Sequence, residues 1–284
     1  MPITNQRVRP FTNNSYNSII TTSKQSTPVV PRFAPGRYTL DVKRLPPKQL
    51  NIVSFKLVAV SKARVVAKAP PVTVDLRAIM PLVYDQGSLG SCTANALCAA
   101  FAVDHAGFTG SRLFLYYNER VLENTVYFDS GATLADGVVC LQKYGVCPET
   151  MWSYNTTKFA QKPPPTCYTN ALKNRISGGY NIANDMTAMK SCLACGFPFV
   201  VGIAVYESFE AQSVALTGRV PMPSPREQLL GGHAVLCVGY DDRQKYWIMR
   251  NSWSASWGDR GYFYLPYQYL LNSSLSSDMW YIKK

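Results

Sequence analysis

Two histidines and eight cysteines are the groups in this 284-residue chain best suited to nucleophilic or proton-transfer chemistry, and one cysteine stands apart. Cys92 closes the turn-rich run "QGSLGSC" and opens "TANALCAAFAVDHAG", an Ala-rich stretch ending at Gly107 that predicts a helix from about Cys92 to Ala106. A helix N-terminus carries unsatisfied N–H groups and a partial positive charge, which favours a thiolate over a thiol. Such a nucleophile needs a base. His105 lies 13 residues along the same predicted helix, roughly 20 Å away at about 1.5 Å per residue, too far to touch the sulfur. His233, in "LLGGHAVLCVGYD", begins a strand after two glycines and is the candidate base by elimination. Asn251, in "MRNSWSASWG", follows 18 residues later and suits the group that fixes a catalytic imidazole, with Trp253 placed to shield that hydrogen bond. The backbone N–H of Cys92 and the side-chain amide of Gln86 supply donors for an oxyanion. The competing reading of Cys92 is a buried helix thiol, which suits Cys98, Cys140 and Cys237.

These residues need elements to hold them. "SRLFLYYNERVLEN" and "TLADGVVCLQKYG" predict two further helices, the second stopped by Gly145, so residues 72–180 read as mainly helical. "PFVVGIAVY", "HAVLCVGYD", "YWIMRNSW" and "GYFYLPY" are short Val-, Ile- and aromatic-rich runs bounded by Gly, Asp and Pro, the pattern of antiparallel strands. Residues 181–284 therefore read as mainly sheet, and the fold class as α+β. No internal repeat is evident.

The first 70 residues differ. They carry 12 Lys/Arg against the single acid Asp41, a net +11 of the chain's +12. Residues 1–37 are rich in Ser, Thr, Asn and Pro, and residues 38–69 predict one or two short strands broken by Pro46-Pro47. The domain boundary is placed there: 1–70 a basic extension, 71–284 one domain. No apolar run approaches the roughly 20 residues of a membrane span, and the N-terminus lacks the apolar core of a secretory signal. A soluble cytoplasmic or virion location is expected, with reduced thiols and with the sequons at Asn13, Asn155 and Asn272 unused. "CLAC" at Cys192 and Cys195 has metal spacing, but zinc needs two more ligands that the chain hardly offers, so neither metal nor cofactor is expected.

"DQGSLGSC", "GGHAVLCVGYD" and "NSWSASWGDRGYF", in this order, resemble the three active-site blocks of the papain family of cysteine peptidases over about residues 72–284. The resemblance implies a papain-like two-lobed fold, a helical left domain and a β-barrel-like right domain with the cleft between them. It also implies Cys92 as nucleophile, His233 as acid/base, Asn251 as orienting residue and Gln86 as oxyanion donor, acting on protein or peptide substrates. Leu89 stands where secreted relatives carry a disulfide cysteine and Thr93 where they carry Trp, as in the bacterial and large-virus branch. Ser254 replaces the usual Gly after "NSW", as in cathepsin B-like relatives.

The resemblance further implies substrate-binding positions at Gly131, Gly232, Trp253, Trp257 and Asp278. Gly131 would be the glycine wall beside extended substrate backbone, a plain turn glycine being the alternative. Asp278 would floor the second specificity subsite and attract Lys or Arg, a solvated loop Asp being the alternative. With no histidine pair left over, carboxydipeptidase activity is not expected. The position of residues 1–70 suggests an inhibitory pro-segment, autocleaved between about residues 50 and 72. The alternative is a non-hydrolytic papain-fold protein whose basic arm tethers it to an acidic polymer such as nucleic acid.

Overall fold

In the computed structural model, which describes residues 70–284, the helix that opens at Cys92 is buried along its whole length. This helix, α1 (Cys92–Phe101), has no charged residue and its polar side chains Thr93 and Asn95 are hydrogen-bonded, so it can be buried on all sides. It ends earlier than predicted. A 3-10 turn, Ala102–Asp104, tightens its last residues, and the His105 ring hydrogen-bonds the Phe101 carbonyl at 3.0 Å while stacking on the Phe101 ring. His105 is thereby a structural residue.

Helices α2 (Arg112–Leu122) and α3 (Leu134–Lys143) pack around α1, followed by α4 (Pro165–Ala171). Ser111 caps α2 by accepting the Phe114 N–H, and Thr133 caps α3 by accepting the Asp136 N–H. Gly145 stops α3 as expected, at φ +73°; a Cβ there would lie 2.0 Å from the Ala171 carbonyl oxygen. Where the three helices meet, Glu119 accepts a 2.7 Å hydrogen bond from Thr93 Oγ1. Burial pushes its carboxyl up to about 8, against the pull of that bond, so it is mostly protonated at neutral pH.

The strands are β1 (Thr73–Asp75), β2 (Gly178–Asn181), β3 (Phe199–Tyr206), β4 (Leu229–Asp241), β5 (Tyr246–Arg250), β6 (Tyr262–Pro266) and β7 (Ser276–Lys283). They form one antiparallel sheet in the order β2-β7-β3-β4-β5-β6, with β1 paired to the end of β4. Short helices α5 (Met186–Ala194), α6 (Gln212–Thr217) and α7 (Tyr267–Leu271) connect strands. Successive residues of a strand face opposite sides. Along β4, Ala234, Leu236 and Val238 join the core around α1, whereas Val235 and Cys237 join the sheet's own core with Trp247 and Phe263. Strand β4 is therefore the wall shared by a helical half and a β half.

The boundary at residue 70, the strands expected within 38–69 and the basic arm lie outside the described residues. Among the described residues no helix is long and apolar enough to cross a membrane, and no group of His, Cys, Asp and Glu could hold a metal ion. All eight cysteines are thiols. Of the "CLAC" pair, Cys192 is half-buried with Sγ toward the Phe197 carbonyl, and Cys195 is exposed.

Candidate active site

The site is assembled at the seam where α1 lies against β4 and β5. Asn95, Ala96 and Ala99 of α1 line one small cavity together with Ala234, Leu236, Arg250, Asn251 and Ser252. Cys92 is one helical turn before Asn95 and Ala96, and His233 is one residue before Ala234. Both side chains are fully buried.

The imidazole is fixed by its neighbours. His233 Nε2 lies 2.8 Å from Asn251 Oδ1, and the same oxygen accepts the Ser252 N–H at 2.8 Å. A backbone N–H can only donate, so the amide must present its oxygen, and Nε2 must carry the proton. That leaves the lone pair of the neutral ring on Nδ1, which is buried and makes no hydrogen bond. Trp253 stacks on the ring with centroids 4.9 Å apart and seals the Asn–His contact. Trp257 meets Trp253 edge-on and stacks on Phe209, so it is buried in the aromatic cluster that supports Trp253. Burial pushes the His233 ring down to about 4, against the opposing pull of Asn251.

Gln86 comes from the other end of the sequence. Residues 84–86 run antiparallel to 252–254: Asp85 bridges Trp253, Gln86 N–H donates to Ser252 O at 2.9 Å, and Ser254 N–H donates to Tyr84 O at 3.0 Å. Arg250 holds the preceding loop by donating to the carbonyls of Pro81 and Leu82. The Gln86 side chain is also oriented. Leu89 O, which can only accept, receives Nε2 at 3.0 Å, so Oε1 faces the Ser252 hydroxyl at 2.6 Å. Ahead of Cys92, Asp129 accepts the Gly90 N–H and a 2.5 Å hydrogen bond from Tyr116 Oη.

Ser254 adopts φ +73°, a conformation that favours glycine. Its Oγ accepts the Ser256 N–H at 3.2 Å and lies 3.0 Å from the Ser256 hydroxyl.

Three of the expected substrate positions lie as follows. Gly131 has φ +64°, but its N–H is taken by Tyr116 Oη at 3.1 Å and its carbonyl already accepts from Ser130 Oγ at 3.2 Å, leaving a peptide only that oxygen's second lone pair. Gly232 is a half-buried residue of β4 paired with Ala204. Asp278 corrects the solvated-loop alternative: it lies in β7 at φ +58°, Oδ1 accepts from Trp280 Nε1, and Oδ2 is buried without a hydrogen bond. Burial pushes its carboxyl up, partly offset by Trp280 and by the N–H dipoles of Ala135 and Leu134 at the head of α3.

The comparisons identify the family. Residues 70–281 match the sequence model described as papain family cysteine protease. An uncharacterized peptidase C1-like protein of Acanthamoeba polyphaga mimivirus is 40% identical over 266 residues, covering 86% of each chain. A cathepsin B-like protein of Giardia intestinalis is 29% identical over 230 residues, covering 72% of each. The crystal structure of xylellain, a cysteine protease from Xylella fastidiosa, superposes with a TM-score of 0.73 at 40% identity, covering 90% of this chain and 94% of that one.

With only two histidines, ring titration by NMR reports the site directly. The His233 ring in Cys92→Ala is expected to titrate near pH 4, and in the wild type higher if the Cys92 sulfur ionises beside it, because a neighbouring thiolate favours the imidazolium. Equal titration in the two proteins would remove the coupling.

Proposed function

Because the chain belongs to the papain family of cysteine proteases, we propose that this peptidase cleaves internal peptide bonds with Cys92, His233, Asn251 and Gln86 as its catalytic set. The observation that carries the reading is the doubly satisfied Asn251 oxygen, which leaves His233 Nδ1 as the only ring position able to take a proton from a thiol. In this mechanism the proton of Cys92 passes to Nδ1 and the thiolate attacks the scissile carbonyl. The Cys92 N–H and Gln86 Nε2 stabilise the oxyanion, and the imidazolium protonates the leaving amine. Water activated by the same ring then hydrolyses the thioester.

A magnitude decides what drives ionisation. Lowering a thiol from about 8.5 to below 6 takes roughly 3.4 kcal/mol. A helix N-terminus contributes about 0.3–1 kcal/mol, reaching about 2 in buried geometries. The start of α1 cannot do this alone, so the imidazolium must supply the rest.

Residues 1–70 act in this reading as an inhibitory segment that the enzyme removes. Its place directly ahead of the matched residues 70–281, and its length, support this reading. In this reading Asp278 is the acid of the second specificity subsite, supported by its buried Oδ2, which makes no hydrogen bond.

Incubated wild type should shorten by about 50–72 residues and then cleave an unfolded protein. Cys92→Ala and His233→Ala should do neither, with peptide cleavage down by at least about 10³-fold. Equal shortening of wild type and Cys92→Ala would refute self-processing, and cleavage by Cys92→Ala would refute the nucleophile. In a peptide library, preference for Lys or Arg two residues before the cleaved bond should strengthen as pH rises, because the raised Asp278 carboxyl ionises only then. Asp278→Asn should abolish both the preference and its pH dependence; an unchanged profile would dismiss the subsite.

A further inference from the structure

Gln86 is gripped from two sides, and only one of them belongs to the sequence blocks that mark the site. From the β half, Ser252 holds its backbone and side chain. From the helical half, Tyr154 Oη donates to the Gln86 carbonyl at 3.0 Å. Because that hydroxyl proton is committed, the contact between Tyr154 Oη and Ser91 Oγ, 2.5 Å, must run from Ser91 to Tyr154. Ser91 Oγ in turn accepts from Asn95 Nδ2 at 3.0 Å, and Asn95 Oδ1 accepts from Arg112 Nη1 at 3.3 Å. The result is a one-directional chain of donors, Arg112 to Asn95 to Ser91 to Tyr154 to the Gln86 carbonyl, in which each bond polarises the next.

Tyr154 is itself anchored. Its N–H donates to Glu149 Oε1 at 2.8 Å, and the Arg112 guanidinium lies 4.0 Å over its ring while pairing with Glu149 at 3.1 Å. Burial raises its hydroxyl against the opposing effects of Ser91, Asn95 and Arg112, so the donor persists across the working pH range.

We propose that Tyr154 is a positioning residue for the oxyanion site: its hydroxyl couples Gln86 to Ser91, the residue whose successor supplies the second oxyanion N–H. This rests on the assignment of Gln86 and the Cys92 N–H as oxyanion donors. Without the hydroxyl, the loop bearing Gln86 loses its hydrogen bond to Tyr154 and keeps, from the helical half, the longer Arg112 contacts to the Asp85 carbonyl at 3.5 Å and over the Tyr84 ring, so its amide can drift relative to the start of α1. Oxyanion stabilisation is sensitive to such displacements because the donors must meet the developing charge without rearranging.

The test uses the processed enzyme and a fluorogenic peptide, with active sites counted by an epoxide thiol reagent. Tyr154→Phe, which removes one oxygen and keeps the ring, should lower kcat per active site about tenfold and leave KM within about twofold. Affinity for a peptide aldehyde, whose hemithioacetal oxygen occupies the oxyanion site, should fall by the same factor. In a Gln86→Ala background, adding Tyr154→Phe should change kcat by less than about twofold. Ser91→Ala, which breaks the chain one link earlier, should lower kcat in the same direction and guards against a folding defect in Tyr154→Phe. A lower melting temperature with wild-type kcat per active site, or a loss that multiplies fully with that of Gln86→Ala, overturns the proposal. Wild-type kcat in Gln86→Ala overturns the oxyanion assignment beneath it.

Discussion

The site depends on a short antiparallel stitch between residues 84–86 and 252–254. One backbone pairing sets Gln86 beside Ser252, and Ser252 in turn fixes the amide of Asn251, which fixes the ring of His233. The two segments are more than 160 residues apart in sequence. Their union is held by buried charge as well as by the ladder. Arg250 spends its guanidinium on the Pro81 and Leu82 carbonyls and lies over the Tyr84 ring, and an unpaired guanidinium in that position would be costly. Helix α1 then has a single seat, between α2 and α3 on one side and β4 on the other.

What was legible in the sequence follows from how each signal is encoded. The α1–α3 helices were readable because Ala-rich or amphipathic runs end in strong punctuation such as Gly145, and four strands were readable as dense β-branched or aromatic runs. Strands β2 and β7 escaped, since "GGYN" and "SSDMWYIK" carry Gly, Ser and Asp that disfavour strands and form only by pairing with each other and with β3. The helix expected through Ala106 closed early because His105 offered the Phe101 carbonyl a ring partner, which no periodicity records. The catalytic candidates were legible because their chemistry demands rare residue types in turn-rich settings. Ser252, Tyr154, Asp129 and Arg250 were not, because hydroxyls, carboxylates and guanidinium groups that position others have no local signature. They become functional only through long-range contacts. Among them, Arg250 and Ser252 flank Asn251 within "MRNSWSASWG", and that adjacency is the signal the sequence offers for both.

Electrostatics in the site are set by a competition. Burial disfavours any charge, and acting alone it leaves His233 neutral and most thiols of the protein protonated: Cys98, Cys140, Cys147, Cys192 and Cys237 are all pushed up. In the proposed Cys92–His233 pair, a thiolate and an imidazolium formed together offset that penalty, because each would be the other's counter-charge in a medium where attraction is weakly screened. Reactivity in this account is therefore a property of the pair, and neither the helix terminus nor the histidine provides it separately.

The thiolate absorbance near 240 nm, recorded as the wild type minus Cys92→Ser difference, tests that claim without needing reagent access to a buried sulfur. Close to one thiolate is expected at pH 6, disappearing in His233→Ala until the pH approaches the range of an ordinary buried thiol. A wild type with no thiolate at pH 6, or a His233→Ala protein that keeps it, would contradict the account.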